Sequence, residues 1–285
     1  MTTTRPFFVT FLAPAMLTAV ILVAALFEIL QYSVREFIPG SLDVGGFTLQ
    51  NFVRINKPIY WGALLNTFYI SLSTALASLL LSYPVAYALV RSERDWVRSI
   101  LIALSITPLF TGEIVRTYSW MLMLGTDGFL NSMLQGLSIL DEPLQMMYTR
   151  LGVVVALVQF SMPVMIILLA TAIAHVDRDV EKAAANLGAG PLTVFWKVTL
   201  PLTSPGILSG IVVVFAWTMS AFSTPQFIGG GKILMISNLT YLQGFSILNL
   251  PFAATLSLIA LVSALGSLAL VTTVTKRLEQ RISVN

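Results

Sequence analysis

The chain has 285 residues, 56% of them hydrophobic and 10% charged, with a mean hydropathy of +0.86. Soluble domains carry charge on about a quarter of their residues, so this composition excludes a water-soluble globular protein and leaves an integral membrane protein. The absence of cysteine and the single histidine exclude disulfide frameworks, thiolate metal sites and histidine clusters, and a net charge of +3 scattered over loops excludes a nucleic-acid surface.

A membrane-crossing helix needs roughly 20 apolar residues to cover about 30 Å of hydrocarbon. Six segments qualify: 8–30, 62–90, 100–124, 151–174, 207–228 and 252–274. The first is expected to be retained, since its apolar run exceeds a signal-peptide core and lacks a small-residue cleavage site. The second carries Asn66, Thr67 and Tyr69, polar positions of the kind that join helices. The third holds Glu113 and Arg116, three apart and so able to pair on one helical face. After it, 128–134 reads as a short interfacial helix and Asp141-Glu142-Pro143 as a turn. The apolar runs are continuous, unlike the alternation of a membrane barrel. The fold class is therefore all-α, a single polytopic domain over 1–285 with six transmembrane helices and no separate soluble domain.

Between the fourth and fifth spans lies a polar loop, 175–206. Val180, Ala183, Ala184 and Leu187 fall at i, i+3, i+4 and i+7, one stripe of a short amphipathic helix. Asp177 or Asp179 can cap its start, Gly188 suits a left-handed end, and Pro191 suits the first position of a second helix. That second helix puts Leu192, Phe195 and Trp196 on one face and is expected to stop before Pro201. His175, at the loop's edge, reads as a capping or interfacial residue.

Lys and Arg divide unequally between the two sides of the six spans. Arg5, Arg91, Arg94, Arg98, Arg178, Lys182, Lys197, Lys276, Arg277 and Arg281 fall on one, against Arg35, Arg54, Lys57, Arg150 and Lys232 on the other. The richer side belongs in the cytoplasm, which puts both termini and the 175–206 loop there.

The loop's spacing is specific. Ala183-Ala184, three residues, Gly188, nine residues, then Val198-Thr199-Leu200-Pro201 resembles the signature loop of ABC importer permeases: Glu-Ala-Ala, three residues, Gly, nine residues, Ile, one residue, Leu-Pro. Aligned on Gly188, Lys182 occupies the position of the signature glutamate and Glu181 lies one residue earlier. Arg116-Thr117-Tyr118-Ser119-Trp120, Gly128-Phe129-Leu130-Asn131, Thr224-Pro225 with Gly229-Gly230, and Asn249-Leu250-Pro251-Phe252 are similar to the spermidine/putrescine subgroup.

The resemblance implies a type I importer permease of the bacterial inner membrane. It implies partners as well: two ABC ATPase subunits, a second homologous permease forming a heterodimer, an extracytoplasmic solute-binding protein, and membrane lipid. The ATPase-coupling residues it implies are Glu181, Lys182, Ala183, Ala184, Leu187, Gly188, Val198, Leu200 and Pro201. No cofactor is expected in this chain: Gly229-Gly230-Gly231-Lys232 is followed by Ile233 and preceded by Gln226 where a phosphate-binding loop needs its first glycine, so ATP and Mg belong to the partner ATPase. The expected cargo is a polyamine, with an opine, amino-acid derivative or aminophosphonate as the alternative.

Ionisable residues inside a span are costly and mark a path. Glu113 and Arg116 are either an intrahelical ion pair or lie beside the translocation route, where Glu113 can meet an amine while Arg116 would repel it or orient a carboxylate or phosphonate. Tyr118, Trp120, Trp217, Phe222, Thr224 and Gln226 are the accompanying candidates. Aromatic rings there can hold an ammonium, or they form an interfacial belt, and Pro225 is expected to break the fifth span. Gly206 and Gly210 allow a close helix crossing. An ion-gradient-driven transporter or channel is the alternative class, and neither a metal cluster nor a nucleophile motif supports an enzyme.

Overall fold

The computed structural model describes residues 4–41 and 43–283. Arg5, Lys276, Arg277 and Arg281, counted above toward orientation, have side chains outside the described residues. The helices are α1 (Thr4–Ser33), α2 (Gln50–Arg54), α3 (Pro58–Arg91), α4 (Asp95–Ile106), α5 (Glu113–Leu124), α6 (Phe129–Gly136), α7 (Arg150–Ala174), α8 (Arg178–Asn186), α9 (Pro191–Val194), α10 (Leu200–Leu202), α11 (Ser204–Met219), α12 (Ser223–Ile228), α13 (Ile236–Tyr241) and α14 (Leu250–Ser283). A two-stranded antiparallel hairpin, β1 (Arg35–Phe37) with β2 (Val44–Phe47), is an addition to the all-helical expectation.

Among the described residues four helices are long and apolar enough to cross a membrane, and up to six spans result if each of two bent pairs counts as one. The second bent pair is Pro191–Leu202 with Ser204–Met219, bent by 64°. Two expected spans are corrected, one by the first bent pair and one by a separate break after Met219. The segment 100–124 is not one straight helix: α4 runs into a 3₁₀ turn, Thr107–Phe110, and the chain over Glu113–Gly136 is bent by 108° from Asp95–Phe110. Pro108 lies in that turn, and Thr111 and Gly112 are extended, with ψ of 129° and 145°. In the segment 207–228 the helix ends at Met219, three residues intervene, and Pro225 lies inside α12. The break therefore precedes Pro225 by several residues, because a proline near a helix start has no partner to lose.

The described chain divides into two compact units: residues up to Trp61 with Ile236–Val262, and Gly62–Met235 with the residues from Ser263 on. In the first unit, buried Asn51 donates from Nδ2 to Ser33 O at 3.0 Å and to Arg35 O at 2.8 Å, tying α2 to the end of α1. Thr255 Oγ1 reaches the same Ser33 carbonyl at 3.1 Å, and Asn249 caps α14 by accepting from Phe252 N at 3.0 Å. Most of α1 is exposed apolar surface, which suits lipid or another membrane helix and is costly in water.

The second unit is built on α3, α7 and α11. One core joins Tyr83 and Ala86 to Met165, Leu169, Ile173, Val214 and Phe215; the other joins Ile70 and Leu124 to Val153, Leu157, Ile228 and Met235. The seam between α7 and α11 is the most extensive packing between elements. Gly206 and Gly210 make it possible: a methyl on Gly206 would overlap Ala172 Cβ, and one on Gly210 would lie 2.6 Å from Met165 Sδ. The small-residue spacing thus does what the sequence leads one to expect. Ser78 and Ser161 share a hydrogen bond of 2.6 Å across α3 and α7, and Asn66 donates to Leu234 O at 3.3 Å.

Candidate functional site: a cavity at two helix breaks and a two-helix loop

The first site grows from the helix breaks. Non-helical backbone at membrane depth is tolerated where it lines a cavity or is buried in protein. Here a cavity of about 360 Å³ has Glu113 from the start of α5, Phe160 and Ser161 from α7, Trp217 and Thr218 from α11, Ser220 and Phe222 from the second break, and Ser223 and Thr224 from α12. The walls are aromatic rings and hydroxyls with one carboxylate.

Glu113 opens α5 behind Gly112, where an acid is favoured by the helix dipole. Its carboxylate makes neither a hydrogen bond nor an ion-pair contact among the described residues, so of the two sequence readings the intrahelical ion pair with Arg116 does not form. Arg116 instead lays its guanidinium 3.9 Å from the centroid of Phe160, and its buried Nε and Nη1 have no hydrogen-bond partner. The physical reason is local. The dipole already steadies Glu113, and the π face of Phe160 offers the guanidinium an alternative. Phe160 also meets Trp217 edge-on, with centroids 5.2 Å apart.

Of the eight path candidates, Glu113, Trp217, Phe222 and Thr224 line this cavity. Arg116 is not part of the lining but packs on Phe160, which is. Tyr118, Trp120 and Gln226 are not part of the lining: Tyr118 packs on Phe227 at 5.4 Å, and Trp120 Nε1 donates to Gln159 Oε1 at 3.1 Å. Phe160 and Ser161 were not anticipated. Their signal was the pair of polar residues Gln159 and Ser161 in the middle of an otherwise apolar run before Pro163.

The second site is the 175–206 loop. Asp177 caps α8 by accepting from Asp179 N at 2.9 Å, and Gly188 ends the helix with φ of +90°, a conformation that costs any residue with a Cβ. Pro191 begins α9 as expected. The second helix does not stop before Pro201: it passes through a π-helical segment, Phe195–Thr199, into α10, and Pro201 lies within. A π turn shifts the hydrogen-bond register, which accommodates a residue without an N–H. The shift also splits the predicted apolar face. Phe195 turns inward against Tyr83 and Tyr87, at 5.6 and 6.2 Å, while Leu192 and Trp196 stay 75% and 63% exposed.

On α8, Leu187 is 90% exposed, Val180 is exposed, and no residue of the helix is buried. The two charged residues at the start of the signature point opposite ways. Glu181 is drawn inward to Arg91 and Thr199, whereas Lys182 is 70% exposed and pairs only with Asp179 at 2.9 Å. Val198 and Leu200 are partly buried. His175 caps α7, its Nδ1 2.7 Å from Thr171 O; a carbonyl can only accept, so Nδ1 carries the proton. Among the described residues no cluster of acids and histidine could hold a metal.

Comparison with known proteins places this geometry. Residues 78–284 match the family described as the binding-protein-dependent transport system inner membrane component. The chain is 36% identical over 225 residues to the spermidine/putrescine transport system permease protein PotB of Escherichia coli K12, covering 79% of this chain and 81% of that one. It is 31% identical to PotB of Haemophilus influenzae, over 74% of this chain and 73% of that one. A crystal structure of a bacterial alginate ABC transporter, in complex with an alginate pentasaccharide-bound periplasmic protein, contains a chain that superposes with a TM-score of 0.80. The identity there is 17%, with 97% of this chain and 96% of that chain covered, so the likeness is one of fold.

Proposed function

Since the chain belongs to the binding-protein-dependent transport system inner membrane component family, it is a permease subunit of an ABC importer and not an enzyme, and we propose that its cargo is a polyamine. Family membership sets aside the ion-gradient-driven transporter or channel. The observation that carries the polyamine reading is Glu113, a carboxylate that makes no hydrogen bond or ion-pair contact among the described residues, in a cavity walled by Phe160, Trp217, Phe222 and hydroxyls. An ammonium is complementary to each part: charge for the carboxylate, cation–π contact for the rings, and N–H donors for the hydroxyls. The polyamine permeases among its relatives support the same reading.

In this reading, two ATPase subunits lie beneath two permeases, and the exposed face of the 175–206 loop, formed by Val180, Leu187, Leu192 and Trp196, is the docking surface on the cytoplasmic side, where both termini also lie. A second, homologous permease completes the path and a solute-binding protein delivers cargo from outside. Closure of the ATPases rocks the spans between outward and inward access. ATP and Mg are held by those partners, and the chain itself needs no cofactor.

Thermal-shift binding of a solute panel to the cognate binding protein, followed by ATP-driven uptake in proteoliposomes holding the whole complex, tests the cargo. Stabilisation and uptake of spermidine or putrescine are expected; a panel in which every polyamine fails refutes it.

A further inference from the structure

Arg91 ends α3, and Glu181 lies in the first half of α8, 90 residues later. Arg91 Nη2 donates to Glu181 Oε1 at 3.1 Å, and Arg91 Nε lies 3.1 Å from Oε2 as an ion-pair contact. The same Oε1 accepts from Thr199 Oγ1 at 2.7 Å, which brings in the π segment of the second loop helix. Two backbone bonds flank the pair: Arg91 Nη2 to Val176 O at 3.0 Å and Arg178 Nη2 to Val90 O at 2.9 Å. The side chains of Arg91 and Glu181 are only 12% and 14% exposed, and Thr199 is fully buried.

An exposed ion pair contributes little, but a pair withdrawn from water is costly to bury and strongly destabilising to break. Cohesion alone does not call for it, because Tyr83, Tyr87 and Phe195 already pack the second loop helix on α3, and Tyr83 Oη bonds Thr203 Oγ1 at 2.9 Å. What the pair adds is a fixed point. Both short helices and the end of α3 meet at one carboxylate, so α8 cannot shift along α3 without breaking charge-assisted bonds. Lys182, the next residue, lies at the same open pocket as Arg91 and Glu181 but keeps its side chain 70% exposed, with its ion pair to Asp179 on its own helix.

We infer that Glu181 is a positioning residue for transport: it locks α8 and the second loop helix to the end of α3, so movement imposed on the loop's exposed face passes to α3 without slack. A docked partner then meets the cation of Lys182, and Glu181 stays inside. This inference rests on the proposed docking of the loop on the ATPase.

The test uses the whole complex, with the ATPases, second permease and binding protein, in proteoliposomes. Glu181→Gln keeps the shape and removes the charge. The expected result is intact co-purification of the ATPase, continued ATP hydrolysis, and at least a tenfold fall in solute taken up per ATP hydrolysed. The exchange Arg91→Glu with Glu181→Arg is expected to recover at least threefold over either single variant. Because the chain has no cysteine, Arg91→Cys with Glu181→Cys also gives an addressable pair when the other subunits are made cysteine-free. Joining the two with a short bifunctional thiol reagent is expected to restore uptake per ATP.

An unchanged ratio in Glu181→Gln overturns the inference, and so does a cross-link that stops transport which the open pair supports. Parallel loss of assembly, hydrolysis and uptake also overturns it, because that marks a merely structural role. Failure of the docking reading has a separate signature, an ATPase that still co-purifies when Leu187 and Leu192 are both changed to Glu.

Discussion

Replacing Gly206 by alanine should do disproportionate harm, and the geometry states why. Carbon atoms rest about 3.5 to 4.0 Å apart at their optimum, and the added methyl would overlap Ala172 Cβ, an atom fixed to the backbone of α7. The helices must part by more than about 1 Å. Overpacking of this kind costs about 1 to 3 kcal/mol, from which the better helix propensity of alanine returns about 0.8 to 1. The net expectation is a loss of about 0 to 2 kcal/mol, toward the upper end because the clash is with an atom fixed to the backbone of α7. Gly210→Ala is the internal control. Its methyl meets Met165 Sδ at 2.6 Å, in a buried but unbranched side chain that can change rotamer, so its loss should be smaller than that of Gly206→Ala. Thermal unfolding of the purified chain in detergent measures both, and Ala172→Gly should recover most of the Gly206→Ala loss. The same seam carries Phe160 and Ser161 on one side and Trp217 and Thr218 on the other, so uptake should fall with stability. A Gly206→Ala protein as stable as the parent, or one that Ala172→Gly fails to rescue, refutes the close-packed seam.

Three further outcomes follow from named contacts. Glu113→Gln should raise the half-saturating cargo concentration for uptake by about 10-fold or more, the worth of a charge-assisted hydrogen bond of about 1.5 to 3 kcal/mol, while the binding protein's own affinity is unchanged; an unaltered uptake curve would remove Glu113 from the path. Asn51→Ala should cost about 1 to 3 kcal/mol in thermal unfolding, because the carbonyls of Ser33 and Arg35 both lose its donor in a buried setting. Leu187→Glu with Leu192→Glu should leave the chain's unfolding temperature nearly unchanged, since both side chains are exposed, and should abolish co-purification of the ATPase.

Class, spans and loop chemistry were determined by the sequence alone, because each depends on residues near one another along the chain. Long apolar runs define candidate spans whatever their neighbours do, and Asp177, Gly188 and Pro191 act within a turn of their own position. The G-x-x-x-G spacing of Gly206 and Gly210 belongs with these, since one helix face suffices to express it.

Only the tertiary structure decided which side chains share a space. The cavity is assembled from α5, α7, α11 and α12, elements separated by as many as 111 positions between Glu113 and Thr224, and no local periodicity reports that meeting. The breaks at Thr111-Gly112 and at 220–222 were obscured by apolar neighbours that make each segment read as a single helix, and Pro225 drew attention to the wrong residue. Glu113 and Arg116 had the spacing to pair, yet a ring from α7 outbid the carboxylate for the guanidinium. At the loop, Glu181 and Lys182 are adjacent and about equally polar. Their opposite fates depend on Arg91, 90 residues away, which buries one charge by pairing it and leaves the other facing outward.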